Sequence, residues 1–186
     1  KNIFFSCGNL LKIDIPDSVE YIGENAFTNC HSLVNVRISN NLISIGGGAF
    51  SYCENLVFNE YDNMLYIGSE DNPYLILIKV KKEKETLWKI RDETRIIYGQ
   101  AFSACRTLTS INIPNNVVFI GEYAFYGCNN LNNIKMSSNI KAIADFAFSG
   151  CTNLSEVNYK GTEEQWNNIA IGMYNENLTN AKRNYI

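Results

Sequence analysis

Apolar residues recur along this chain in columns 23 positions apart, and the cysteines give the register. Phe-x-x-Cys appears six times, as Phe4/Cys7, Phe27/Cys30, Phe50/Cys53, Phe102/Cys105, Phe125/Cys128 and Phe148/Cys151. Ala precedes the last five of these Phe residues. Three residues after each Cys stands Leu (Leu10, Leu33, Leu56, Leu108, Leu131, Leu154). Aliphatic residues follow six positions after Cys (Ile13, Val36, Ile111, Ile134, Val157) and eight after (Ile15, Ile38, Ile113, with Met136). Later columns pair Val19 with Ile22, Leu42 with Ile45, Val117 with Ile120 and Ile140 with Ile143. The period-two ending of Leu-x-x-Ile-x-Ile predicts a short strand. Pro16 and Pro114 close it, because proline has no N–H to donate. Val-x-x-Ile-Gly then predicts a second strand on the opposite side of the coil. Gly23, Gly46 and Gly121 mark the turn that follows, whereas Tyr98 takes that place in one unit and its Gly99 comes a residue late. One such coil cannot bury its apolar side alone, so the units must stack. The pattern predicts a mainly β solenoid with two short strands per coil of roughly 23 residues.

Two stretches break the period. The gap from Cys53 to Cys105 is 52 residues, and the register returns with Trp88 to Ile97, where Ile97 matches Ile22. The extra segment, 59–86, holds two strand-like runs, Met64 to Gly68 and Tyr74 to Val80, around the polar Ser69 to Pro73. It predicts a β-hairpin insertion. The mixed-sign run from Lys79 to Glu85 reads as a solvated turn, with a contact patch for an acidic partner as the sharper alternative. Past Tyr159 the pattern stops. Thr162-Glu163-Glu164-Gln165 is a capping-box sequence, and Trp166 with Ile169 predicts a short amphipathic helix. Residues 159–186 therefore read as a C-terminal cap on a single solenoid domain, 1–186. The first residues already lie inside a unit, so the expectation is a segment of a longer protein with any targeting signal upstream.

Composition narrows the function. Hydrophobic residues make up 46% of the 186, which excludes a disordered chain, and the net charge of −3 argues against a nucleic-acid partner. No apolar run reaches the roughly 18 residues of a membrane span, so direct membrane insertion is not expected. Cysteines stacked at one repeat position suit a column of buried thiols; disulfides and a metal site are the alternatives. No Cys/His spacing favours zinc. His31 is the only histidine and falls in a variable post-Cys loop. No catalytic residue, metal ligand or cofactor is expected.

A binding surface is better supported. Side chains five and seven positions after Cys alternate outward from the first strand. They are Lys12 and Asp14, Asn35 and Arg37, Phe58 and Glu60, Ser110 and Asn112, Asn133 and Lys135, and Glu156 and Asn158. Stacked, they predict a polar, mixed-charge sheet face, although any exposed strand face must be polar to stay soluble. Tyr21 and Phe119, at outward positions of the second strand, make the other side a rival site.

The units from Ile15 to Phe27 and from Ile113 to Phe125, each Ile-Pro-x-x-Val-x-x-Ile-Gly-x-x-Ala-Phe, resemble the BspA-type leucine-rich repeat. The resemblance runs over nearly the whole chain, including the long unit and the ending Gly161 to Trp166. It implies a leucine-rich-repeat solenoid on a secreted or surface-anchored bacterial protein. It implies adhesion to host or matrix protein or glycan, and it brings no catalytic residue with it. A structural spacer and a carbohydrate-binding accessory to a neighbouring enzyme are the other readings.

Overall fold

The computed structural model describes residues 1–81 and 88–186. The chain winds as a mainly β solenoid of about seven turns. The first two turns each give a first and a second strand: β1 (Lys12–Asp14) and β2 (Tyr21–Ile22), then β3 (Asn35–Arg37) and β4 (Ser44–Ile45). The long unit supplies β5 (Asn59–Tyr61), β6 (Met64–Ile67) and β7 (Ile76–Val80), followed by β8 (Ile96–Ile97). Regular turns resume with β9 (Ser110–Asn112), β10 (Phe119–Ile120), β11 (Asn133–Ser137), β12 (Ala142–Ile143) and β13 (Glu156–Lys160). The chain ends in α1 (Glu163–Asn167), β14 (Ala170–Ile171), α2 (Glu176–Thr179) and β15 (Lys182–Tyr185).

Equivalent residues of successive turns pair in parallel register. Ile13 lies opposite Val36, and Ile134 lies between Ile111 and Val157. On the second side Ile120 lies between Ile97 and Ile143. Two residues per turn adopt the left-handed backbone that bends the corner: one before Ala (Asn25, Gly48, Gln100, Tyr123, Phe146) and one before Cys (Ser6, Asn29, Tyr52, Ala104, Gly127, Gly150). Few of these are glycine, which is why the corners did not announce themselves in the sequence. The glycine ending the second strand has another purpose. A Cβ on Gly121 would stand 2.6 Å from the main-chain nitrogen of Gly99, so its absence sets how closely two turns approach.

Phenylalanines fill the interior as two stacks. Phe4, Phe27 and Phe50 have centroids 5.2 and 5.3 Å apart; Phe102, Phe125 and Phe148 are spaced at 4.9 Å. All six cysteines are free thiols, and five are buried.

The expected pairing of the two runs is present, with β6 antiparallel to β7. A third strand joins them: β5 pairs antiparallel with β6 across Asp62-Asn63, both at positive φ (44° and 57°). That is the backbone of a two-residue hairpin turn, and Asp-Asn was its sequence signal. β7 also pairs in parallel with β8, which inserts the meander into the stack of second strands. Of the run from Lys79 to Glu85, residues 82–85 lie outside the described residues, as does Thr86.

At the C-terminus the capping box forms as expected. Gln165 N–H donates to Thr162 Oγ1 (3.2 Å), and Thr162 N–H donates to Gln165 Oε1 (2.9 Å). The strands continue where the sequence pattern stops, because β14 extends the row of second strands and β15 pairs in parallel with β13. In the final first strand Arg183, not an aliphatic residue, stands opposite Val157 and lies 5.3 Å over the Trp166 ring.

Candidate recognition surface

The predicted sheet face exists in two pieces. In the C-terminal half, parallel register lines up Ser110, Asn133, Glu156 and Lys182 in one row, and Asn112, Lys135, Asn158 and Asn184 in the next. Side-chain amides connect the rows. Asn133 Nδ2 donates to Glu156 Oε2 (3.1 Å), Asn158 Nδ2 to Asn133 Oδ1 (3.3 Å), and Asn184 Nδ2 to Asn158 Oδ1 (3.1 Å). Ser110, Asn112 and Lys135 remain exposed and free of these bonds. Lys182 and Asn184 were missed from the sequence, because β15 follows β13 at an offset of 26 residues instead of 23.

In the N-terminal half Lys12 lies opposite Asn35, and Asp14 opposite Arg37. Lys12 Nζ stands 3.6 Å from Asp14 Oδ1. Arg37 Nη1 donates to Ile15 O (3.1 Å), and its Nη2 lies 3.3 Å from Asp17 Oδ2. The Asn40 main-chain N–H, and next the Arg37 guanidinium, hold the Asp17 carboxyl below the ordinary carboxylate range. Lys12, Asp14, Asn35 and Arg37 line a depression of about 390 Å³ together with Asn59 and Glu70.

Phe58 and Glu60 do not join this face. Phe58 is half-buried and packs against the N-terminal core. Glu60 sits in β5, opposite Leu65, and its carboxylate pairs with Lys81 Nζ at 2.6 Å. The reason is local: β6 recruits β5 into the meander, leaving β3 and β9 in separate sheets. On the second side Tyr21 is exposed, whereas Phe119 is half-buried against the core.

His31 Nδ1 is exposed and 3.9 Å from Glu54 Oε2. Burial pushes the Cys53 thiol up to about 11, so it is a poor nucleophile near neutrality. Among the described residues no group of three or more His, Cys, Asp and Glu is placed to hold a metal ion, and no helix is long and apolar enough to cross a membrane.

The family model for the BspA type leucine rich repeat region matches the chain in six copies, over residues 1–70 and 82–183. The chain belongs to the BspA-type leucine-rich repeat family. Three solved structures of bacterial proteins are similar to it. The leucine-rich repeat protein of Eubacterium ventriosum is 21% identical with a TM-score of 0.51, over 84% of this chain and 56% of that one. The pneumococcal vaccine antigen PcpA is 18% identical with a TM-score of 0.50, over 89% of this chain and 55% of its own. The T. pallidum leucine-rich repeat protein TpLRR is 24% identical with a TM-score of 0.39, over 92% of this chain and 64% of its own. This BspA-type chain thus spans less than two thirds of each of these proteins' length. No protein with a curated description matches it.

Proposed function

We propose that this BspA-type repeat domain is a non-catalytic recognition module of a bacterial surface or secreted protein, binding host or matrix protein or glycan through its first-strand face. The observation that carries this reading is the in-register array of polar side chains from Ser110 and Asn112 to Lys182 and Asn184. Such a repeated surface binds by many modest contacts spread over several turns. The surface location is supported by family membership and by the likeness to PcpA, a pneumococcal vaccine antigen. The test is surface binding of the purified chain to matrix proteins, mucin and glycans beside the Arg37/Asn112/Lys135 triple alanine variant. Saturable binding that the folded variant loses is the expected result; binding retained by the variant moves the site off this face.

One observation favours a second reading. Asn133, Glu156, Asn158 and Asn184 satisfy one another, so part of the face is internally closed. A structural spacer needs nothing more, and it predicts no binding by either protein.

A further inference from the structure

In each regular turn the corner N–H groups donate to the next turn: Asn25 to Gly47 O (3.1 Å), Phe27 to Ala49 O (2.8 Å), Asn29 to Ser51 O (3.0 Å). Among the described residues the third turn makes no such corner. β7 runs straight on through Ile78 and Lys79, and Val80 N–H is the one donor among the described residues of this turn that reaches the following corner, at Ala101 O (3.0 Å). A cleft of about 780 Å³ is left between the second and fourth corners, within the usual size of a small-molecule site. Part of the lost bonding is made good, because the Tyr98 hydroxyl accepts from Phe50 N–H at 3.3 Å. Among the described residues the Gly48 N–H has no partner, and neither do the Gly99 and Ser103 carbonyls on the opposite wall.

The cleft also has an aromatic end. Tyr123, Phe146 and Tyr174 occupy the same left-handed corner position in successive turns, at φ 57°, 58° and 61°. Bulky residues are rare there, and here they form a stack, with centroids 4.9 and 4.2 Å apart. One turn earlier the position belongs to Gln100, which is exposed, so the stack stops at Tyr123 on the rim of the cleft. Two carboxylates stand beside it. Glu122 Oε2 lies 2.6 Å from where a Gly47 Cβ would be, and Glu24 pairs with Lys1 Nζ at 2.8 Å. Lys79 lines the same cleft, so the site is polar without being strongly anionic.

We infer that this cleft binds a neutral oligosaccharide, with a sugar ring against the outer face of Tyr123 and its hydroxyls on Glu122, Glu24 and the Gly48 N–H. The slightly positive C–H face of a pyranose suits the negative face of an aromatic ring. Adjacent hydroxyls suit carboxylates, and main-chain groups that have no partner among the described residues. A cationic peptide fits less well, since Lys1 and Lys79 already offset the carboxylates. The site is separate from the sheet face, and either can fail without the other.

The experiment is an NMR titration of the full chain with chitotriose, cellotriose, xylotriose and lactose, and with pentalysine. The expected result is saturable binding of at least one saccharide, weakened about tenfold or more in Gln100→Tyr and in Glu122→Gln. Gln100→Tyr adds one ring to an existing stack at a position that already holds aromatic residues, so its circular dichroism and melting should match the parent. The Arg37/Asn112/Lys135 triple alanine variant should bind the same saccharide unchanged. No saccharide binding, binding indifferent to both cleft variants, or pentalysine occupying the cleft in its place would each overturn the inference.

Discussion

Cys30, Cys53, Cys128 and Cys151 each donate their S–H to the carbonyl of the Phe one turn back, at 3.1 Å. That carbonyl also accepts the N–H of the Cys in its own turn, for example Cys105 N–H to Phe102 O at 2.9 Å. The column therefore needs a small apolar residue with one weak donor, which is what a thiol supplies. Burial raises the proton affinity of Cys30, Cys53 and Cys105. Iodoacetamide at mild alkaline pH should therefore label the half-buried Cys7 first and Cys53 hardly at all, with all six reacting in denaturant. Rapid native labelling of Cys53 would contradict the packing. Asparagine has a comparable role in the loops, where Asn55, Asn130 and Asn139 each donate a side-chain N–H to a main-chain carbonyl of the previous turn. Glu122 makes the opposite contribution. Burial, then Glu24 and Asp145, raises its pKa above the ordinary 4.5. A carboxyl raised on folding stabilises the fold while protonated, and that contribution is lost as pH rises through the folded pKa. Glu122→Gln should thus raise the melting temperature near neutrality and leave it unchanged well below pH 4.5. An equal shift at both pH values would show that charge is not the cause.

Where the repeat is interrupted, single side chains take over main-chain hydrogen bonds. Tyr98 does this for Phe50. At the C-terminus Asn175 Oδ1 accepts from Phe148 N–H (2.9 Å), and Asn177 Oδ1 accepts from Gly150 N–H (3.1 Å). Tyr98→Phe keeps the ring and removes only the acceptor, so it should lower unfolding free energy by about 1–3 kcal/mol. Chemical denaturation measures this, and an unchanged midpoint would mean that Phe50 N–H finds water. These substitutions explain what was legible in the sequence. Regular turns were readable because each column repeats one residue type for one physical reason, as Leu10 to Leu154 do in the core. Tyr98 was visible only as a misplaced Gly99, since a substitute need match the lost group in chemistry alone. The same holds for β15, where Arg183 lies over Trp166 in an aliphatic place. The first-strand face was legible where parallel strands follow one another at the 23-residue period, and failed at Lys182 and Asn184, where the offset is 26, and at Phe58 and Glu60, where β5 found a nearer partner in β6. The cleft was not legible, because it opens where β7 runs straight on through Ile78 and Lys79 beside the corners of neighbouring turns.

At the scale of the molecule the inserted meander divides the core. Ile67, Leu75 and Ile76 pack with the N-terminal cluster that holds Phe27 and Phe50. Met64, Tyr66, Leu77 and Val80 pack with the C-terminal cluster that holds Phe102, Phe125 and Phe148. Neighbouring residues of β7 thus face opposite halves, and the meander acts as a wall between two short stacks. Stability in a solenoid passes between nearest neighbours, so a wall of this kind should limit how far damage spreads. Phe27→Ala is expected to remove about 3–5 kcal/mol from the N-terminal half. Amide exchange in β1 and β3 should then accelerate, while exchange in β11 and β13 stays as before. Leu77→Ala opens the wall toward the C-terminal cluster and should speed exchange in β9 to β13. Uniform acceleration after Phe27→Ala would instead make the seven turns one cooperative unit, with the meander transmitting stability. In that case a ligand in the cleft beside β7 would tighten both halves together, whereas an insulating wall lets it stabilise only the corners it touches.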